Sequence, residues 1–184
     1  DPRIALLHQL KLPFIVHGRS ATDVPHAWLD IDNEGAIRRS TEHLLDLGHR
    51  RIALLNGYEG LTFTLDRLNG YRRALANQDI PYDAKLVSHG DFTDEIGFRF
   101  ARSALEQSPH PTAFVAGSMM TALGIYRAAR SMNLVIGRDI SIIAHDDVFP
   151  YLTAENMVPP LSTTRSSIRA AGTRIADLLL QMLA

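Results

Sequence analysis

No cysteine occurs among the 184 residues. Disulfides and thiol chemistry are therefore excluded. A reducing cytoplasm fits, and so does a bacterial periplasm, where disulfides are optional. No apolar run is long enough to span a bilayer, and no signal peptide opens the chain. Charge of one sign is also lacking: 19 Lys and Arg stand against 20 Asp and Glu, a net charge of -1. That balance matches a nucleic-acid surface poorly, so this segment is not expected to hold DNA by itself. The pairs Arg38-Arg39, Arg50-Arg51 and Arg72-Arg73 read as solvated faces. Enzyme signatures are missing too. There is no G-x-S-x-G, since Ala116-Gly117-Ser118-Met119-Met120 lacks the second glycine of a nucleophile elbow. No G-x-G-x-x-G follows a strand, and there is no Walker loop. His43 and His49 lack zinc-site spacing, and His145-Asp146-Asp147 are neighbours on extended chain whose side chains point apart. No catalytic residue, metal or cofactor is expected.

What is present is a hydrophobic fraction of 46% and a charged fraction of 21%, the balance of a globular protein. The clearest unit runs from Pro111 to Asp147. The apolar run Ala113 to Ala116 is too short for a helix and reads as a buried strand. Ser118 follows as an N-cap, Leu123, Tyr126 or Arg127, and Arg130 recur at helical spacing, and Ile140 to Ala144 is a second strand. Strand, helix and strand at this length form a βαβ unit with a parallel sheet. Upstream, Pro13 to Val16 and Arg51 to Asn56 read as strands, as does Leu86 to His89. Helices capped by Asp32 or Asn33 and by Thr93 alternate with them, and Leu65, Leu68 and Leu75 share the face of another. Leu161 to Thr164 is a late strand. Ile168, Ala171, Ile175, Leu178, Leu179 and Met182 form one stripe of a last helix.

The expected architecture is α/β and two-lobed, with parallel doubly wound sheets. Residues 50–160 make one lobe; residues 1–49 and 161–184 make part of the other, with crossings near His49-Arg50 and near Pro159 to Leu161. That other lobe is underbuilt. Asp1-Pro2-Arg3 is no natural start, so further residues are expected upstream.

Ligands of open α/β sheets sit beyond the carboxyl ends of the strands. Reading those ends together gives His17-Gly18-Arg19, Asn56-Gly57, Gly90-Asp91-Phe92, Gly117-Ser118 and His145-Asp146, with Arg67 one turn into the helix after Asn56. An acceptor-only carboxylate, a donor-only arginine fork, a hydroxyl and an aromatic face suit a neutral polyhydroxylated ligand. Each residue also has a plain structural reading. Arg67 reads equally well as a surface arginine, Phe92 as a hydrophobic staple, Ser118 as a bare N-cap and Asp146 as a turn cap.

Several motifs resemble the ligand-sensing core of lactose-repressor-type (LacI/GalR) bacterial transcription regulators. They are Thr41 to Ala53, Asp66-Arg67-Leu68-Asn69-Gly70-Tyr71, Thr121-Ala122-Leu123-Gly124, Asp139 to Ile143 with Asp146-Asp147, and Pro160-Leu161-Ser162-Thr163-Thr164. The resemblance covers nearly the whole chain in family order. It implies a periplasmic-binding-protein-like core, a homodimer, and an N-terminal helix-turn-helix, outside this sequence, that binds operator DNA in the cytoplasm. It also implies a small effector, often a sugar, held between the lobes. By motif match, Arg67 and Asp146 look like the clamp on effector hydroxyls, Phe92 like the aromatic cover, and Ile168 like a residue packing from the other lobe. Gly18 falls where other members often carry aspartate, and Ser118 with Met119 replaces an Asn-Asp pair. The function implied is the effector-binding core of a sugar-responsive regulator that acts as a repressor. The alternative is a periplasmic sugar-binding protein serving a transporter.

Overall fold

The computed structural model describes residues 1–146 and 149–183, Asp146 by its backbone alone. Five parallel strands carry the larger lobe: β3 (Ile52–Asn56), β4 (Val87–His89), β5 (Ala113–Ala116), β6 (Ser141–Asp146) and β7 (Ser162–Arg165), in the order β4-β3-β5-β6-β7. Four helices cover them: α2 (Asn33–Asp46), α3 (Thr62–Ala76), α4 (Asp94–Leu105) and α5 (Met119–Ser131). Every residue of β3 and β5 is buried. This is why both read as unbroken apolar runs rather than as alternations.

Alternate residues of each strand feed two separate cores, as a period of two requires. Ile52, Leu54, Ala113, Val115 and Ile143 join Ile37, Leu44 and Tyr71 of α2 and α3. Ala53, Phe114, Ala116 and Ile142 instead join Ala101, Met119 and Ile125 of α4 and α5. Three of these four helices start where the sequence offers a side-chain cap, and α3, after Leu61, does not. Asp32 accepts from Gly35 N at 2.7 Å, Thr93 from Ile96 N at 3.2 Å, and Ser118 from Met120 N at 3.1 Å, each worth about 1 kcal/mol.

The smaller lobe contains α1 (Pro2–Gln9), the parallel pair β1 (Ile15–His17) and β2 (Ala27–Leu29), and α6 (Ile168–Leu183). The lobe boundary differs from the sequence expectation. α2 lies on the larger lobe, because its stripe Ile37, Leu44 and Leu45 closes one of that lobe's two cores. β7 also belongs there, hydrogen-bonded beside β6 with Ile143 opposite Ser162. The chain therefore crosses between lobes around residues 30–32 and 166–167, not near His49-Arg50 or Pro159 to Leu161.

Two expected stripes are also revised. Leu65 is exposed, and the inner face of α3 is formed by Thr64, Arg67, Gly70, Tyr71, Ala74 and Leu75. On α6 no residue is fully buried. Ala171, Ile175, Leu178 and Leu179 are half-buried, while Ile168 and Met182 are exposed.

Candidate effector-binding cleft

The strand order fixes where the cleft lies. From β3 the chain passes through α3 to β4 on one side, then returns through α4 to β5 on the other. The direction of winding reverses between β3 and β5, and a crevice opens at their carboxyl ends. Asn56 ends β3 there, fully buried, donating through Nδ2 to Thr64 O at 2.9 Å and accepting from Gly57 N at 3.0 Å. It pins the start of α3 against the strand end, which delivers Arg67 into the crevice one turn later.

Arg67 is only 5% exposed, which removes the surface-arginine reading. Its Nε donates to Asn33 Oδ1 at 3.0 Å and its Nη1 to Gly117 O at 2.9 Å. The guanidinium lies over Phe63 at 5.0 Å and over Phe92 at 5.8 Å, positions that suit cation–π attraction. Gly117 makes this arrangement possible. A Cβ there would sit 2.7 Å from the Phe92 ring and 2.8 Å from Leu55 O.

Arg67 lines a cavity of about 210 Å³ together with His17, Ile31, His145, Ser166, Ile168 and Ala171. Both lobes contribute: His17 ends β1, Ile168 and Ala171 belong to α6, and His145 stands on β6. His145 is buried, with Nδ1 3.3 Å from Thr164 Oγ1 on β7. The lining thus joins one permanent cation, two imidazoles and a hydroxyl to apolar walls. That is a set able to orient a polar, uncharged ligand.

The other sequence-derived site residues are placed as follows. Ile168 lines the cavity. Phe92 stacks beside Arg67 and is not part of the cavity lining. Ser118 is fully buried, its hydroxyl caps α5, and it is not among the residues lining that cavity. Gly18 follows β1 with φ +91 and donates to Leu29 O at 2.8 Å; its left-handed backbone favours glycine. Asp146 closes β6 opposite Arg165, but its side chain, like Asp147, lies outside the described residues. His17 and His145 stand among the strand-end residues of the sequence reading without a role of their own, whereas Phe63 and Asn33 are absent from it. Phe63 precedes Arg67 by four residues on one helix, and that spacing announces a shared face. Asn33 lies 34 positions from Arg67, and no local pattern links the two.

Residues 41–184 match the family described as periplasmic binding protein-like domain. The chain belongs to that family, in the form found in LacI-type regulators. It is 49% identical to the HTH-type transcriptional regulator AglR of Rhizobium meliloti over 98% of its own length and 51% of that protein. A LacI-family regulatory protein from Chloroflexus aggregans superimposes with a TM-score of 0.92 at 37% identity, over 99% of this chain and 64% of that one. The transcriptional regulator CelR, solved as a cellobiose complex, does so with a TM-score of 0.88 at 33% identity, over 98% and 55%. The chain spans about half the length of the curated relatives it matches. Those relatives are HTH-type transcriptional regulators. Among the described residues no helix is long and apolar enough to cross a membrane, and no group of three or more histidines and carboxylates is placed to hold a metal ion.

Proposed function

We propose that this chain is the effector-binding core of a sugar-responsive transcriptional regulator. It acts as a homodimer in the cytoplasm, catalyses no reaction, and binds operator DNA through a helix-turn-helix outside this sequence. One observation carries the reading. Arg67, buried and held on two sides by Asn33 and Gly117, lines a cavity to which both lobes contribute. A ligand there touches both lobes at once, so its affinity depends on their relative orientation. An effector acts only through such a difference in affinity between two states.

In this reading Arg67 donates to effector hydroxyls and Asp146, at the end of β6, accepts from them. Ile168 covers an apolar ring face from α6. Phe92 supports the guanidinium rather than the ligand, and Ser118 contributes by starting α5. The net charge of -1 agrees with a core that leaves DNA contact to another segment. Kinship to DNA-binding regulators favours this reading over a transporter's periplasmic binding protein. The test is operator binding by the full-length protein, followed by fluorescence anisotropy with and without sugar. Saturating effector shifts operator affinity by roughly 5- to 150-fold, the usual range of allosteric coupling. Arg67→Ala or Asp146→Ala abolishes the shift while sugar-free operator affinity is kept. Wild-type response in both variants rejects this site.

A further inference from the structure

The two lobes are also joined directly, by a side chain that is not part of the cavity lining. Arg19 lies two residues after His17, on the loop that follows β1 of the smaller lobe. Its guanidinium is anchored on that lobe. Nε donates to Asp30 Oδ2 at 3.3 Å, and the group lies 5.6 Å over the Trp28 ring. Nη2 then reaches across to Asp66 on α3 of the larger lobe, the residue next to Arg67. The Arg19 carbonyl is held from the same side, accepting from Thr62 Oγ1 at 2.6 Å. Asp30 leads back to the cavity by a second route. It stands at the chain crossing, where Oδ1 accepts from Ile31 N at 2.8 Å and lies 3.4 Å from Asn33 Nδ2. Asn33 Oδ1 in turn accepts from Arg67.

We propose that Arg19 is an interlobe latch, a positioning residue that sets effector affinity without touching the effector. By bridging Asp30 at the crossing to Asp66 beside Arg67, it holds the lobes in the orientation that gives the cavity both its walls. The inference rests on the effector reading proposed above. Lobes that part lose the Arg19–Asp66 pair and the Thr62 bond together, and they carry His17 and Ile168 away from Arg67. Only the latched fraction offers the effector both walls, and apparent affinity scales with that fraction. Linkage adds a second consequence. Sugar and latch favour the same orientation, so loss of the latch moves sugar-free operator affinity in the direction opposite to that produced by sugar. The side chains of Arg19 and Asp66 are 42% and 24% exposed. The latch therefore has the strength of an exposed ion pair, and its loss weakens effector binding about two- to five-fold.

Calorimetry and operator anisotropy on the full-length protein test this with glucose, maltose, cellobiose and trehalose, the tightest binder of the four serving as the probe. Arg19→Met keeps an apolar stem over Trp28 and removes the charge, and Asp66→Ala puts a good helix former on α3. Each variant weakens probe binding about two- to five-fold, and the double variant binds no more weakly than Arg19→Met alone. Both also move sugar-free operator affinity against the direction in which the probe moves that of the wild type. Asp66→Ala decides the matter by itself if Arg19→Met fails to fold. Three results overturn the latch while the sugar reading stands: probe affinity less than about two-fold below wild type, losses that multiply in the double variant, or a sugar-free operator affinity that is unchanged or moves the same way as with sugar. Binding of none of the four sugars by the wild type removes the sugar reading and this inference with it.

Discussion

Replacing Arg67 by lysine keeps the positive charge and removes the fork. A single ammonium reaches one of the two acceptors that the guanidinium spans, Asn33 Oδ1 at 3.0 Å or Gly117 O at 2.9 Å, and it loses the flat contact with Phe63. A hydrogen bond to a charged group is worth about 1.5–3 kcal/mol, so the variant is destabilised by about 2 kcal/mol. For a chain of this size that lowers the melting temperature by about 4–8 °C. The same misplacement removes one oriented contact to the effector and weakens its binding about ten-fold, or about 1.4 kcal/mol. Thermal unfolding of the full-length protein with and without sugar reads both effects. At a sugar concentration one hundred times the wild-type Kd, the wild type gains about 2.7 kcal/mol from ligand. The lysine variant, at the same concentration, gains about 1.4 kcal/mol. An undiminished ligand increment in the variant refutes the placement of Arg67 in the site, whatever its effect on stability.

Gly117→Ala forces a methyl group against the Phe92 ring and against Leu55 O, which already accepts from Gly117 N at 2.8 Å. Denaturant titration shows a loss of about 1–3 kcal/mol, and effector affinity falls with it as Phe92 and Arg67 move. His49 is wedged between Thr112 Oγ1 at 2.8 Å and Ser141 Oγ at 3.0 Å, and burial holds its pKa below the ordinary value of 6.5. The folded state therefore disfavours protonation relative to the unfolded chain. Its stability contribution is full above about pH 6.5 and is lost as pH falls through the folded pKa. Urea midpoints between pH 7 and pH 5 fall less steeply in His49→Gln than in wild type; equal slopes argue against that role. Tyr71→Phe removes the buried bond from Tyr71 OH to Ile52 O at 2.7 Å and costs about 0.5–1.5 kcal/mol, with effector binding unchanged in calorimetry. Asp32→Ala uncaps α2 and costs about 1 kcal/mol. That loss disappears in acid, because the bonds to Gly35 and Arg39 hold the Asp32 carboxyl below its usual range, so it fades as pH falls through that lowered value.

The elements of the larger lobe were legible because each carries its own local signal. β3 and β5 are short apolar runs, Thr93 and Ser118 are caps, and Gly48 with φ +95 stops α2 where the periodic pattern ends. Lobe membership was not legible. α2 is amphipathic in either lobe, and only the surface offered by β3, β5 and β6 decides where its stripe goes. The same limit applied to β7, whose partner β6 is set by register rather than by composition. At the site, strand ends identified the crevice, and Arg67 and Ile168 fell into its lining. Ser118 did not, because a serine before a helix reads alike whether it caps or binds. Phe92 found a third role, stacking on the arginine, which follows from the missing side chain at Gly117 and from no pattern around Phe92 itself. Apolar stripes assigned by spacing alone were the least reliable. Leu65 shares helical spacing with Leu68 and Leu75, yet the face that turns inward is the one bearing Arg67.

A crystal structure of the protein with whichever sugar shifts its operator affinity tests the central claim most directly. The account predicts sugar density between Arg67 and His145 on one lobe and His17 and Ile168 on the other. Density confined to another surface, such as the apolar hollow of about 540 Å³ lined by Leu123, Met157 and Val158, contradicts it.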